Sequence, residues 1–241
     1  MRSGSLPPFA SRGPSLGEGR RGLARTVAAC NVDHTPLDRK YGGANLPMDH
    51  DLTSRLLLVR HGRSSHVHDG RWLTHETVGE FEDAYDAEGI RDDSVPSEKL
   101  LAVARDALVV ASDLRRAIAS AERLADGRPV VTSPLLREIR LEPPHWLPVA
   151  LPIGVWDKFS YWQWSYRLRV GSDHEFVRRA NDATAWLRLQ LESSATIVVV
   201  THGGFRRILA ARLVAGGWRW LSTSPGGRYD HWSSWEFANR A

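Results

Sequence analysis

Three short apolar runs constrain this chain more than any other feature: Leu56-Leu57-Leu58-Val59, Ala107-Leu108-Val109-Val110 and Ile197-Val198-Val199-Val200. Each is short and lacks polar alternation, as expected of a strand covered on both faces within a parallel sheet. Helical periods lie between them, at Val78, Phe81 and Tyr85, at Leu114, Ile118, Ala121 and Leu124, and at Val177, Ala180, Ala183, Leu187 and Leu191. A further helix is expected from Phe205 to Val214, ended by Gly216-Gly217. Pro129 to Thr132 and His231 to Phe237 carry weaker strand signals. Strands alternating with helices predict an α/β chain, a three-layer α/β/α sandwich on a mostly parallel central sheet.

The pattern starts near Met48. Residues 1–47 are rich in Gly, Ser, Pro and Arg without a hydrophobic period, and read as a disordered leader, a transit-like segment or a misplaced start. The domain is expected over 48–241, with a Pro/Trp-rich insertion at about 141–170 that holds Pro143, Pro144, Pro148, Pro152, Trp156, Trp162, Trp164 and Tyr166. That insertion reads as a lid over the site or as ordinary aromatic packing. The net charge of +4 lies in the leader: removing its seven basic and three acidic residues leaves 25 of each sign, so no nucleic-acid face is expected. No run approaches the roughly 18 apolar residues needed to span a bilayer, and none is expected to partner a membrane. Cys30 stands alone, so no intrachain disulfide is required and a cytoplasmic setting is expected.

Chemistry-bearing residues follow the strands. In open α/β sheets ligands bind beyond the carboxyl ends of strands, where helix N-termini converge. Here the first run leads into Arg60-His61-Gly62, the second into Ser112-Asp113-Leu114-Arg115-Arg116, and the third into Thr201-His202-Gly203-Gly204. Two histidines and several arginines thereby reach one edge, next to glycines that let backbone approach a ligand. Taken singly, each histidine reads as a hydrogen-bonded structural residue.

Together these segments resemble the histidine phosphatase superfamily, which includes the cofactor-dependent phosphoglycerate mutases. Leu58-Val59-Arg60-His61-Gly62 resembles the signature of the nucleophilic histidine, and Ser112-Asp113-Leu114-Arg115-Arg116-Ala117 the segment of a phosphate-binding arginine, which falls on Arg116. Leu136-Arg137-Glu138 resembles the proton-donor segment, and Thr201-His202-Gly203-Gly204 the second histidine motif. The resemblance spans roughly 56–214. It implies a phosphoglycerate mutase-like fold and a metal-independent phosphatase acting on a small phosphorylated substrate. His61, Glu138 and His202 would be catalytic, with Arg60, Arg116 and His202 on the phosphate. No cofactor and no metal is called for. An imidazole nitrogen can attack phosphorus and split one displacement into two, while arginine forks hold the equatorial oxygens.

The chain departs from the family after its first motif, where Arg63 and Val67 stand in place of the usual acid or amide and asparagine, while Ser64 keeps the hydroxyl. Arg63 is read as meeting a second anionic group or as solvated. Glu138 runs on into Ile139-Arg140-Leu141-Glu142-Pro143-Pro144 rather than toward a glycine and an aromatic, so Glu142, Asp69 and Glu76 stand as alternative acids. The extended mutase signature is missing, which favours a phosphatase over a phosphomutase, and both His61 and His202 are present, which disfavours a non-catalytic phosphate binder. His66-x-His68 with Asp69 is a weak metal pattern. Arg206-Arg207 reads as the pocket mouth or as a helix surface.

Overall fold

The computed structural model describes residues 52–171, 173–224 and 230–240; the expectation for residues 1–47 falls outside them. Six strands form one sheet: β1 (Leu52–Arg60), β2 (Leu108–Ser112), β3 (Val131–Ser133), β4 (Thr196–Thr201), β5 (Arg219–Thr223) and β6 (Ser234–Arg240). Their order is β3-β2-β4-β1-β6-β5. The β3–β2, β2–β4 and β4–β1 pairs are parallel, and β6 joins β1 and β5 antiparallel, so the sheet is mostly parallel as expected.

Alternation through the sheet builds two cores. Leu56, Leu58, Ile197 and Val199 point to one face, where they meet Phe176, Ala180 and Leu187 of α5 (Glu175–Gln190) and Phe205, Leu209 and Leu213 of α6 (Gly203–Ala215). Leu57, Val59, Val198 and Val200 point to the other, under Leu100 and Ala104 of α2 (Glu98–Arg105) and Ala117, Ala121 and Leu124 of α3 (Arg115–Ala125). Both faces of the central strands are therefore covered, which is why their sequences carry no polar alternation.

Two further helices sit against this body. α1 (Thr77–Asp86) and α4 (Ile153–Arg169) share a small core of Leu73, Val78 and Trp156. Leu73 and Leu151 exchange backbone hydrogen bonds of 2.8 and 2.9 Å, and Trp156 Nε1 donates to Leu73 O at 2.7 Å. Thus the Pro/Trp-rich stretch closes as a helix of 17 residues. Among the described residues, no helix is long and apolar enough to cross a membrane.

Candidate active site

Parallel register places the two histidines side by side. Arg60 of β1 is the Cα partner of Thr201 of β4, so the next residue on each strand, His61 and His202, leaves the sheet at the same level. Their ring centroids are 5.1 Å apart, and both side chains are buried. His61 N donates to Thr201 O at 3.0 Å, and Thr201 Oγ1 donates to Leu136 O at 2.8 Å, tying the strand ends to the segment that carries Glu138.

The His61 ring has one defined tautomer. Its Nδ1 lies 2.7 Å from Gly62 O, and a carbonyl only accepts, so Nδ1 carries the proton. Burial first, then the charges of His202, Arg60 and Arg116, hold the imidazole well below its ordinary value, outweighing the Gly62 contact. The ring is neutral near pH 7, with a lone pair on Nε2. His202 is also depressed, by burial and then by Arg116, Arg60 and Arg179, and neither of its ring nitrogens has a hydrogen-bond partner among the described residues. Two unpartnered buried nitrogens are costly unless a ligand takes them.

Arginines supply the charge. Arg60 ends β1, and Arg116 sits in the first turn of α3, where its Nη1 donates to Asp86 Oδ1 at 2.7 Å and to Tyr85 O at 3.2 Å. Its guanidinium lies 4.3 Å from the Tyr85 ring centroid. The last turn of α1 thus orients Arg116. Burial raises the Tyr85 phenol against the opposing pull of Arg116 and Arg60. Gly62 N donates to Ser120 Oγ at 2.8 Å, which pins the loop after β1 to α3. Arg63 is exposed at the rim, and its backbone N–H donates to Ser94 Oγ at 2.7 Å.

Glu138 reaches the N-terminus of α6. Its Oε1 accepts from Phe205 N at 2.7 Å and Ile139 N at 3.0 Å, and its Oε2 accepts from Gly204 N at 3.1 Å. His202, the N-cap residue, offers that helix no side-chain cap, so Glu138 fills the role. Arg179 of α5 donates to Arg137 O and Glu138 O and lies over the Phe205 ring, holding the Glu138 loop down.

The alternative acids lie elsewhere: Glu142 bonds Arg167 at 2.6 Å, Glu76 and Asp69 are exposed. His66 and His68 pack on Phe81, at 5.2 Å each. Arg206 is fully buried, donating to Ser233 O and Oγ and stacking 4.0 Å from the Trp235 ring, while Arg207 bonds the Tyr161 hydroxyl.

Sequence reasoning passed over Asp86, read Tyr85 only as part of a helical period, and placed His231 only in a strand. His231 Nδ1 donates to His61 O at 3.2 Å, and its ring centroid lies 5.6 Å from that of His61. Burial, then Arg60, lowers it to about 4.

The model of the histidine phosphatase superfamily (branch 1) matches residues 56–224, more than half of the chain. No curated protein matches it. Among solved structures, the mycobacterial hydrolase 2 is 21% identical, covering 67% of this chain and 72% of its own, with a TM-score of 0.44. A mycobacterial glucosyl-3-phosphoglycerate phosphatase in complex with VO3 is 22% identical over 67% of this chain and 82% of its own, TM-score 0.42. A phosphoserine phosphatase from Entamoeba histolytica, in complex with 3-phosphoglyceric acid, is 18% identical over 67% and 80%, TM-score 0.43.

Proposed function

The chain belongs to the histidine phosphatase superfamily, and from that premise we propose that it is a metal-independent phosphatase, hydrolysing a small phosphomonoester through a phosphohistidine on His61. The observation that carries the reading is the His61 ring itself. Its proton is engaged at Gly62 O, its pKa is depressed, and the nitrogen left with a lone pair stands beside a second buried histidine with two open nitrogens.

The chemistry runs in two displacements. His61 Nε2 attacks phosphorus in line, and the bond to the leaving oxygen breaks. Arg60 and Arg116 hold the phosphoryl oxygens as planar forks, and His202 adds a donor as the phosphoryl group brings negative charge into the site. The leaving oxygen needs a proton and the second step needs water to lose one, a task the family resemblance assigns to Glu138. Water then displaces His61 from phosphorus. Arg116 is held in advance by Asp86 and Tyr85 O, which lowers the reorganisation required at the transition state.

Phosphate release from a panel of phosphorylated compounds, measured in EDTA for the full chain and for His61→Ala, tests this. Turnover by the parent, lost by at least about 1,000-fold in the variant, is expected for removal of a nucleophile. Release by neither protein from any compound sinks the proposal.

A further inference from the structure

The chain leaves the sheet at His61, yet its backbone there is fully engaged. From Arg60 to Arg63 all four N–H groups and all four C=O groups are hydrogen bonded. Arg60 N donates to Ser233 O and Trp232 N donates to Arg60 O, each at 3.1 Å, which carries the antiparallel pairing of β1 one step ahead of β6. Beyond that step side chains take over from the ladder. Gly62 N donates to Ser120 Oγ, Arg63 N donates to Ser94 Oγ, and His231 Nδ1 lies 3.2 Å from His61 O. A carbonyl only accepts, so His231 carries a proton on Nδ1 and donates it to the peptide of the nucleophile.

Two peptide planes follow His61, and each is rigid, so fixing one of its groups fixes the other. The first holds His61 O and Gly62 N, gripped by His231 and by Ser120. The second holds Arg63 N, gripped by Ser94, and Gly62 O, which lies 2.7 Å from His61 Nδ1 and sets the tautomer of that ring. Trp232 Nε1 donates to the same Ser94 oxygen at 3.0 Å, and its indole leans on Gly62, leaving no room there for a Cβ. Adjacent residues of an extended chain send their side chains to opposite sides. Trp232 instead has φ 64°, in the left-handed region that a bulky residue rarely adopts, and the turn there lets His231 and Trp232 both face the loop after β1. Strain of this kind persists only where the surroundings over-determine it, and it collects at functional sites.

We infer that His231 and Trp232 are positioning residues for the nucleophile: they hold the two peptide planes after His61, and so keep its Nδ1 proton on Gly62 O and its Nε2 lone pair in line with phosphorus. The use made of that aim rests on the phosphatase reading above, whereas the holding of the ring does not. His231 acts through the His61 carbonyl, and Trp232 through Ser94 and Gly62. Loss of either grip frees a plane beside a glycine, whose dihedrals no side chain restrains. The ring then samples directions in which Nε2 no longer meets phosphorus, while the arginines that bind phosphate stay where they are.

The test sets kcat on 4-nitrophenyl phosphate against the inhibition constant of inorganic phosphate, in the full chain. His231→Ala is expected to lower kcat by about 10-fold to 100-fold, the cost of a misaimed group, with the phosphate constant within about 2-fold of the parent. His231→Asn offers an amide N–H in place of Nδ1–H and should recover kcat to within about 3-fold of the parent. Ser94→Ala removes the oxygen shared by Trp232 and Arg63 and should repeat the pattern of His231→Ala. Histidine 15N spectra read the ring itself: His61 should carry its proton on Nδ1 alone in the parent and in His231→Asn, and on either nitrogen in His231→Ala. A kcat within about 3-fold of the parent for His231→Ala or Ser94→Ala, or a rise in the phosphate constant that matches the loss of kcat, overturns the inference. So does a His231→Asn no better than His231→Ala, or a single Nδ1 tautomer retained in His231→Ala. If His61→Ala is inactive in those cases, the phosphohistidine reading stands without the clamp. If the unaltered protein turns over no ester, that reading falls, and the spectra alone decide whether His231 holds the ring.

Discussion

Arg60 and Thr201 are register partners across β1 and β4, and this pairing sets the 5.1 Å separation of the His61 and His202 rings. Side chains alternate along a strand, so a slip of one residue would send one histidine to the opposite face. The register is held by double-sided burial of Leu56 to Val59 against Ile197 to Val200, and the placing of the two rings is thus a consequence of core packing. The two rings differ in what they require. His61 already gives its Nδ1 proton to Gly62 O, whereas the His202 ring nitrogens have no hydrogen-bond partner among the described residues. Labelling with a 32P-ester under single-turnover conditions is expected to give an acid-labile phosphoprotein in the parent and none in His61→Ala. His202→Ala should still form it, at a rate lowered by about 100-fold to 1,000-fold, as for loss of one preorganised donor. An unlabelled His202→Ala, or a labelled His61→Ala, contradicts this division.

Asp86 aims the buried guanidinium of Arg116 through a 2.7 Å hydrogen bond. Asp86→Asn keeps the shape and removes the charge, leaving Arg116 less well paired. Breaking such a pair at one side costs up to about 3 kcal/mol, less here because Asp86 is partly exposed and solvent screens it. Urea denaturation should show a loss on the order of 1–2 kcal/mol, and the inhibition constant for orthovanadate should rise by about 10-fold, following loss of one well-aimed contact. No change in vanadate affinity would mean that Arg116 needs no help from α1.

The elements that could be read from the sequence are those where one physical demand dominates. β1, β2 and β4 are buried on both faces, and their unbroken apolar runs announce it. β5 is an edge strand: Arg219, Ser222 and Thr223 are exposed or half-exposed, so the run Arg219 to Thr223 carries no apolar pattern. α4 was unreadable for a different reason. Trp156 and Trp164 are buried while Trp162 and Tyr166 lie on the surface, so aromatics surround the helix and no stripe appears. The strand-end residues Arg60, His61 and His202 were legible because strand ends collect ligands. Arg116 came with its motif. Tyr85, Asp86 and His231 were not legible, because each reaches the cluster from a distant segment whose docking no local pattern records.

Two glycines sit where a methyl group has no room. A Cβ on Gly62 would lie 2.7 Å from Trp232 Cζ2, part of a rigid ring whose Nε1 donates to Ser94 Oγ at 3.0 Å. On Gly204 it would press on both Trp164 and Glu138. Overpacking of this kind costs about 1–3 kcal/mol. Both Gly→Ala variants should lower the thermal midpoint, and both should lower kcat/KM by more than stability alone accounts for at a temperature where each remains folded. Full activity in folded Gly204→Ala would show that α6 and α4 can separate without disturbing the site.

Acid should weaken the fold through the buried histidines. His231 titrates at about 4 in the folded chain, below the roughly 6.5 of an unfolded one, so between those values the unfolded state binds the extra proton. Its contribution is neutral above pH 6.5 and becomes a penalty as pH falls toward 4; His61 and His202, also depressed, act in the same direction. Glu82 acts oppositely. Burial raises it to about 7, so its protonation favours the folded state as pH falls from 7 toward 4.5. Comparing variants separates these. Between pH 7 and pH 5, His231→Asn should lose on the order of 1 kcal/mol less stability than the parent, after allowing for solvent screening at this half-buried ring. Glu82→Gln should lose more than the parent over the same interval, because it lacks the compensating proton uptake. Parallel urea midpoints for parent and His231→Asn at both pH values would mean that this histidine titrates normally, and that burial and the nearby Arg60 do not hold it neutral.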